Sequence, residues 1–158
     1  MKLLVFMTFI FSFFANSFDY LVETHAKRKI VKSFELQDNQ KFISFILDGT
    51  WSDNLGNYGF IEQASTVVLS ENRVIKLDGY GKTIYQNKEV SYFRGFRDQQ
   101  EKDAGVGKTV IIESSENLKG LIGIECDYAV KFLEDTAYVL SRCDINNEQK
   151  DILINMQR

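Results

Sequence analysis

The chain has 158 residues with 19 basic and 22 acidic side chains, a formal net charge of −3, and this balance argues against a nucleic-acid partner, which calls for a concentrated basic surface. The length suits one domain with a proper core, and the absence of proline excludes cis-proline turns and proline-rich linkers.

Lys2 precedes an uncharged run from Leu3 to Ala15, after which Ala15-Asn16-Ser17 offers small residues at the two positions a signal peptidase inspects. Residues 1–17 therefore read as a secretory signal cut after Ser17. The run is too short for the ~20 residues of a membrane-spanning helix, so no transmembrane segment is expected after cleavage. The signal carries Lys2 and no acid, which leaves 18 basic and 22 acidic side chains, a net charge of 18 − 22 = −4. Residues 18–158 form the expected single domain, exported to the periplasm or the cell exterior.

From Phe18 to Lys32 the pattern is mixed. Phe18, Leu21 and Val22 suggest a helical turn, and Lys27, Arg28, Lys29 and Lys32 form a basic cluster that reads as a solvated face or a membrane-surface arm. Strands are expected at Ile30–Leu36 and Lys41–Asp48, with turn chemistry at Asp38-Asn39. The second run is apolar on both sides and should be central or covered. Tyr58–Leu69, Val74–Tyr85 and Val90–Phe96 are rich in β-branched and aromatic residues, and Gly79 and Gly81 suggest a bulge or bend. Asp98–Gly107 reads as the longest polar loop, followed by a strand at Thr109–Glu113 and a turn at Glu116-Asn117.

The clearest signal lies between Leu121 and Ile145. Ile122, Ile124, Cys126, Tyr128, Val130 and Phe132 alternate with Leu121, Gly123, Glu125, Asp127, Ala129 and Lys131, the period of a half-buried strand. Ala137, Val139, Ser141, Cys143 and Ile145 alternate in the same way. A turn centred on Glu134 and Asp135 makes Cys126 face Cys143 and Asp127 face Arg142. A facing pair in an exported chain reads as a disulfide, with Cα atoms ~4.5 Å apart at a non-hydrogen-bonded position. At the end, Asn146 with Gln149 matches a capping box for a short helix through Ile152, Leu153 and Met156, a final edge strand being the alternative.

No pattern of catalytic chemistry emerges. Gly107-Lys108-Thr109 resembles the end of a phosphate-binding loop, but Lys102 stands where that loop requires glycine. His25 is alone, and two facing cysteines with one distant histidine are too few ligands for zinc. Carboxylates such as Glu113, Glu116, Glu125 and Asp127 lie beside turns or on the wet face. No cofactor, metal or catalytic residue is assigned, and an enzyme is the less favoured class.

Gly49-Thr50-Trp51-Ser52-Asp53-Asn54-Leu55-Gly56-Asn57 resembles the first strand and loop of avidin-like proteins, which read Gly-Thr-Trp, an Asn, then Leu-Gly-Ser. Gly-x-Trp near the first strand is also a mark of lipocalins, so the resemblance is to the calycin group of ligand-holding β-barrels. Asp53 stands where avidins have a biotin-contacting Asn, Asn57 replaces the Ser, and Trp51 is the only tryptophan, so biotin binding is not implied. The expected fold is an all-β antiparallel meander of about eight strands forming a small barrel, with a β-sandwich as alternative. The expected function is binding of a small, partly apolar molecule, with Trp51, Tyr58, Tyr92 and Tyr128 as candidate contacts. The alternative is a non-enzymatic envelope interaction or inhibitor module acting through loops or a sheet edge.

Overall fold

The computed structural model describes residues 17–71 and 73–157; the expected signal segment, apart from Ser17, lies outside the described residues. Among these residues eight strands follow one another: β1 (Phe18–Glu35), β2 (Gln40–Asp53), β3 (Tyr58–Ser70), β4 (Arg73–Tyr85), β5 (Val90–Glu101), β6 (Ala104–Ser114), β7 (Glu125–Leu133) and β8 (Thr136–Ile145). Each pairs antiparallel with the next, and β8 returns to β1, giving a closed barrel. Closure is the physical answer to a meander's two open edges, since every ladder then finds a partner. A short 3₁₀ helix (Glu116–Leu121) joins β6 to β7, and helix α1 (Asn147–Asn155) follows β8. Asn146 caps α1 by accepting from the Gln149 amide at 2.9 Å, while the Gln149 side chain accepts from the Asn146 amide at 3.0 Å. This is the reciprocal arrangement that the Asn146–Gln149 spacing anticipates.

The β7–β8 hairpin has the register expected from its sequence. Cys126 faces Cys143, Asp127 faces Arg142 and Leu133 faces Thr136. The two cysteines are bonded, with a Cα separation of 4.2 Å. The facing charges do not pair with each other: Arg142 binds Asp19 of β1 at 2.8 Å, and Asp127 approaches Lys108 of β6 at 3.3 Å. Each is drawn to the neighbouring strand on its other side.

One end of the barrel, called here the helix end, gathers the turns after β2 and β4, the 3₁₀ helix and α1. Tyr20, Trp51, Tyr85, Leu118, Leu121, Ile145 and Leu153 pack there into a buried cluster with the disulfide. Trp51 helps close this end, edge-on to Tyr85 with ring centroids 4.8 Å apart. Asn57, fully buried, ties three elements together. Its amide donates to Asp53 at 2.9 Å and to the Leu153 carbonyl at 3.2 Å, and its carbonyl accepts from Gln86 at 2.8 Å. Asp53 also accepts from the Tyr20 hydroxyl at 2.8 Å and from the Leu55 and Asn57 amides. Among the described residues the buried side-chain polar atoms of this plug thus all have a partner, as burial demands.

At the opposite end, the rim, a second cluster of Ala26, Phe45, Leu47, Val67, Leu69, Val74, Leu77 and Ala137 fills part of the interior. The β1–β2 hairpin runs past this rim. Pairing of β1 with β8 stops at Lys27–Thr136, but pairing with β2 continues to Glu35–Lys41. Phe34 stacks on Phe42 at 4.8 Å within the projecting part.

Several segments differ from the sequence reading. Phe18–Glu35 is one continuous strand with a bulge after Ile30; the helix-like spacing of Phe18, Leu21 and Val22 is overridden by pairing on both sides. The polar segment 98–107 is the tip of the β5–β6 hairpin rather than a loop. Leu121 ends the 3₁₀ helix, Gly123 has φ +90°, and β7 begins only at Glu125, so Ile122 is exposed rather than in the core row. Gly79 and Gly81 pair without interruption and mark close approach instead of a bend. A Cβ on Gly79 would lie 2.1 Å from Ser65 Oγ. The bulge in β4 is Ile75, skipped where the β3 pairing passes from Val68–Lys76 to Leu69–Val74.

Candidate functional site

Between the two clusters the barrel holds a cavity of about 150 Å3. Its lining comes from the inward rows of the strands, which beside the ring and branched side chains of the two clusters carry, at the level of the cavity, Thr24, Gln63, Thr83, Ser91, Gly95, Thr109 and Ser141. Small or short side chains at this level cannot reach across the interior, and the space that remains is bounded mainly by apolar groups. The floor is Trp51, Tyr85, Leu121, Leu153 and the Cys126–Cys143 bond; the far side is Phe45, Leu77, Val130 and Phe132. The wall polar groups are mostly neutral. Gln63 donates to Ser65 at 2.7 Å, and Tyr85 hydrogen-bonds to Ser91. Burial raises the Tyr85 hydroxyl pKa to about 12, against the Ser91 hydrogen bond, and raises that of Tyr20 and Tyr128, so all three hydroxyls stay protonated at neutral pH.

Arg97 of β5 is the only charged residue among the described residues that line the cavity. It is 3% exposed. One terminal nitrogen, Nη2, donates to the Lys102 carbonyl at 3.1 Å, and Nε and Nη1 have no hydrogen-bond partner among the described residues. Burial lowers its pKa, with Tyr128 and Asp103 acting the other way, yet a guanidinium keeps its proton in proteins. A cation is thus held inside an apolar barrel with two donors unused.

The four expected contact residues divide evenly. Trp51 and Tyr128 line the cavity; Tyr58 and Tyr92 do not, standing on the outer face at 62% and 40% exposure. In β5 the inward row is Ser91, Phe93, Gly95 and Arg97, which leaves adjacent Tyr92 no choice but the outside. The same parity, applied from Phe93, carries Arg97 inward, and this is the signal by which the sequence could have exposed it. Tyr128 lies across Gly107, where a Cβ would come within 2.6 Å of the ring. The glycine once compared with a phosphate-binding loop is therefore a seat for this tyrosine.

The outside has a different character. Glu62–Lys82, Asp78–Arg94, Asp127–Lys108 and Asp19–Arg142 ion pairs stud the outer face, the reverse of the apolar-out, polar-in alternation of lipid-facing barrels. No described helix is long and apolar enough to cross a membrane, and the described residues contain no cluster of metal-ligating side chains. Comparison with protein families, curated proteins and solved structures found no match to the chain.

Proposed function

We propose that this protein is an exported, calycin-like binding protein that holds one small, largely apolar molecule inside its barrel. The observation that carries this reading is the cavity between the two core clusters. Interiors are normally packed to crystal density, and an empty space of about 150 Å3 matches one benzene ring. A cavity forgoes dispersion contacts and lowers stability, and a ligand that fills it would restore them. Export is supported by the apolar run Leu3–Ala15 and by the bonded cysteine pair, which suits an oxidising compartment.

Trp51 supplies the assay, because it lines the cavity and no other tryptophan is present. Titration with toluene should change its fluorescence saturably and raise the melting temperature; at a hundredfold excess over Kd, mass action adds about 2.7 kcal/mol. Gly95→Leu would place a side chain in the same space and abolish both signals while the barrel persists. Absence of any toluene signal in the parent protein refutes the cavity reading.

A second reading draws on a separate feature, the projecting β1–β2 hairpin. Beyond Arg28 its β1 edge has no strand partner on the β8 side among the described residues, and Ile30, Val31 and Phe34 are exposed there. Such an edge supports a protein interaction by strand addition, although Lys29 and Lys32 on the same stretch also discourage unspecific pairing. Shortening the hairpin would abolish a partner's binding and leave toluene binding intact.

A further inference from the structure

We propose that the molecule held in the cavity is a small carboxylate, its apolar body about the size of one aromatic ring and its anionic group set against the guanidinium of Arg97. This rests on the cavity reading above and adds to it the charge and size of the ligand. Three observations converge. Arg97 is the one charged residue of a lining that contains no Asp, Glu, Lys or His among the described residues. It is 3% exposed, so water does not solvate it freely. Its Nε and Nη1 groups are unpartnered, while Nη2 is held in place by the Lys102 carbonyl at 3.1 Å. A buried ion is tolerated when it is paired, and this one is oriented at one nitrogen and feels the Asp103 charge, yet no acceptor meets its Nε or Nη1 among the described residues.

The ligand's chemistry follows from what is missing. Two unpartnered donor nitrogens on a positive charge call for an acceptor that is also an anion, and arginine binds carboxylates with charge-assisted hydrogen bonds. The rest of the site is apolar apart from hydroxyls and Gln63, so the ligand's remainder must be hydrophobic. About 150 Å3 leaves space for roughly one ring, which excludes long-chain fatty acids lying wholly within the cavity. Tyr128, with its hydroxyl protonated by burial, stands beside Arg97 as a neutral donor to the same anion. Arg97 and Tyr128 also face a separate outer cleft whose charged members are Asp98, Asp127, Lys108 and Arg142, with Lys108 already paired to Asp127 at 3.3 Å. The anionic end of the ligand would therefore lie at the wall nearest to solvent, with Lys108 close to that opening.

The test compares benzoate, benzamide and toluene, three probes of similar shape that differ in charge and polarity, by Trp51 fluorescence and thermal shift on the protein expressed from the full chain. Benzoate should bind at least tenfold more tightly than either neutral probe. Arg97→Met should remove that preference and leave toluene affinity within about twofold. If all three bind alike and Arg97→Met changes none of them, the carboxylate proposal is overturned while the cavity reading stands. If none binds, the cavity reading fails and the proposal with it. The comparison of benzoate with benzamide on the unaltered protein decides the matter even if Arg97→Met does not fold, because equal affinities there already refute an anion site.

Discussion

Gly95 and Gly81 offer a paired test of how the interior is filled. Both face inward on adjacent strands, and their neighbourhoods are opposite. A methyl group at Gly95 would meet Thr109 Cγ2 at 3.5 Å and Gln63 Nε2 at 3.9 Å, ordinary contact at the edge of free space. At Gly81 it would come within 2.5 Å of Phe93 Cζ and 2.7 Å of the Glu62 carbonyl. Glycine in a strand costs about 0.5–1 kcal/mol relative to alanine, and a newly buried methyl contributes about 0.8 kcal/mol. Gly95→Ala should therefore raise stability by about 1.5 kcal/mol. Gly81→Ala gains the same entropy but meets overpacking worth roughly 1–3 kcal/mol, and the backbone carbonyl cannot step aside, so a net loss of about 1 kcal/mol is expected. Urea denaturation reads both as shifts of midpoint at constant slope. A destabilised Gly95→Ala protein, or a stabilised Gly81→Ala protein, would refute the placement of free space at β5.

Replacing Cys126 and Cys143 together with alanine should lower stability by about 3 kcal/mol, the chain-entropy value for a separation of 17 residues, and a loss below about 1 kcal/mol in the same denaturation assay would contradict it. At alkaline pH the Tyr85 hydroxyl matters. Its pKa is raised to about 12 by burial, against an unfolded value near 10, so the stability it contributes is whole below pH 10 and is lost as pH rises from 10 to 12. At pH 11 that loss is about 1.4 kcal/mol, with Tyr20 acting in the same direction. Urea midpoints at pH 8 and pH 11 should therefore differ less in Tyr85→Phe than in the parent, and identical differences would sink the assignment.

How much of this was legible in the sequence depended on whether a segment bordered the core. The register of the β7–β8 hairpin could be read because inward and outward rows differ sharply and a two-residue turn fixes it, although β7 starts later than Leu121. The β5–β6 tip and the basic stretch of β1 that leads into the legible Ile30–Leu36 strand were hard to read for the opposite reason. Both extend toward or past the rim, where little interior is left to bury, so Asp98–Gly107 and Lys27–Lys32 carry no apolar alternation although their backbones are paired or extended. The lining of the candidate cavity was half visible. Trp51 and Tyr128 stood out as aromatic rings; Arg97 did not, because an arginine between Phe96 and Asp98 reads as surface until its parity with Ser91, Phe93 and Gly95 is followed. The cavity itself has no sequence signature, since it is made by what Gly95, Thr109 and Ser141 lack.

The seam between first and last strands gives the barrel an unusual response to tension. β1 starts and β8 ends at the helix end, with Phe18 opposite Ile145, so a force pulling the two chain termini apart loads their ladder one hydrogen bond at a time instead of all together. Once α1 has been pulled free, the seam unzips like a fastener from its open end. β8 would then begin to strip from β7 as well, but Cys143 lies only two residues from the end of β8 and is bonded to Cys126. The covalent bond sits where the tear would enter that second ladder and arrests it there. The protein is thus mechanically soft at its closing seam and locked immediately beside it, and reduction would convert a tear of one strand into the unravelling of the sheet.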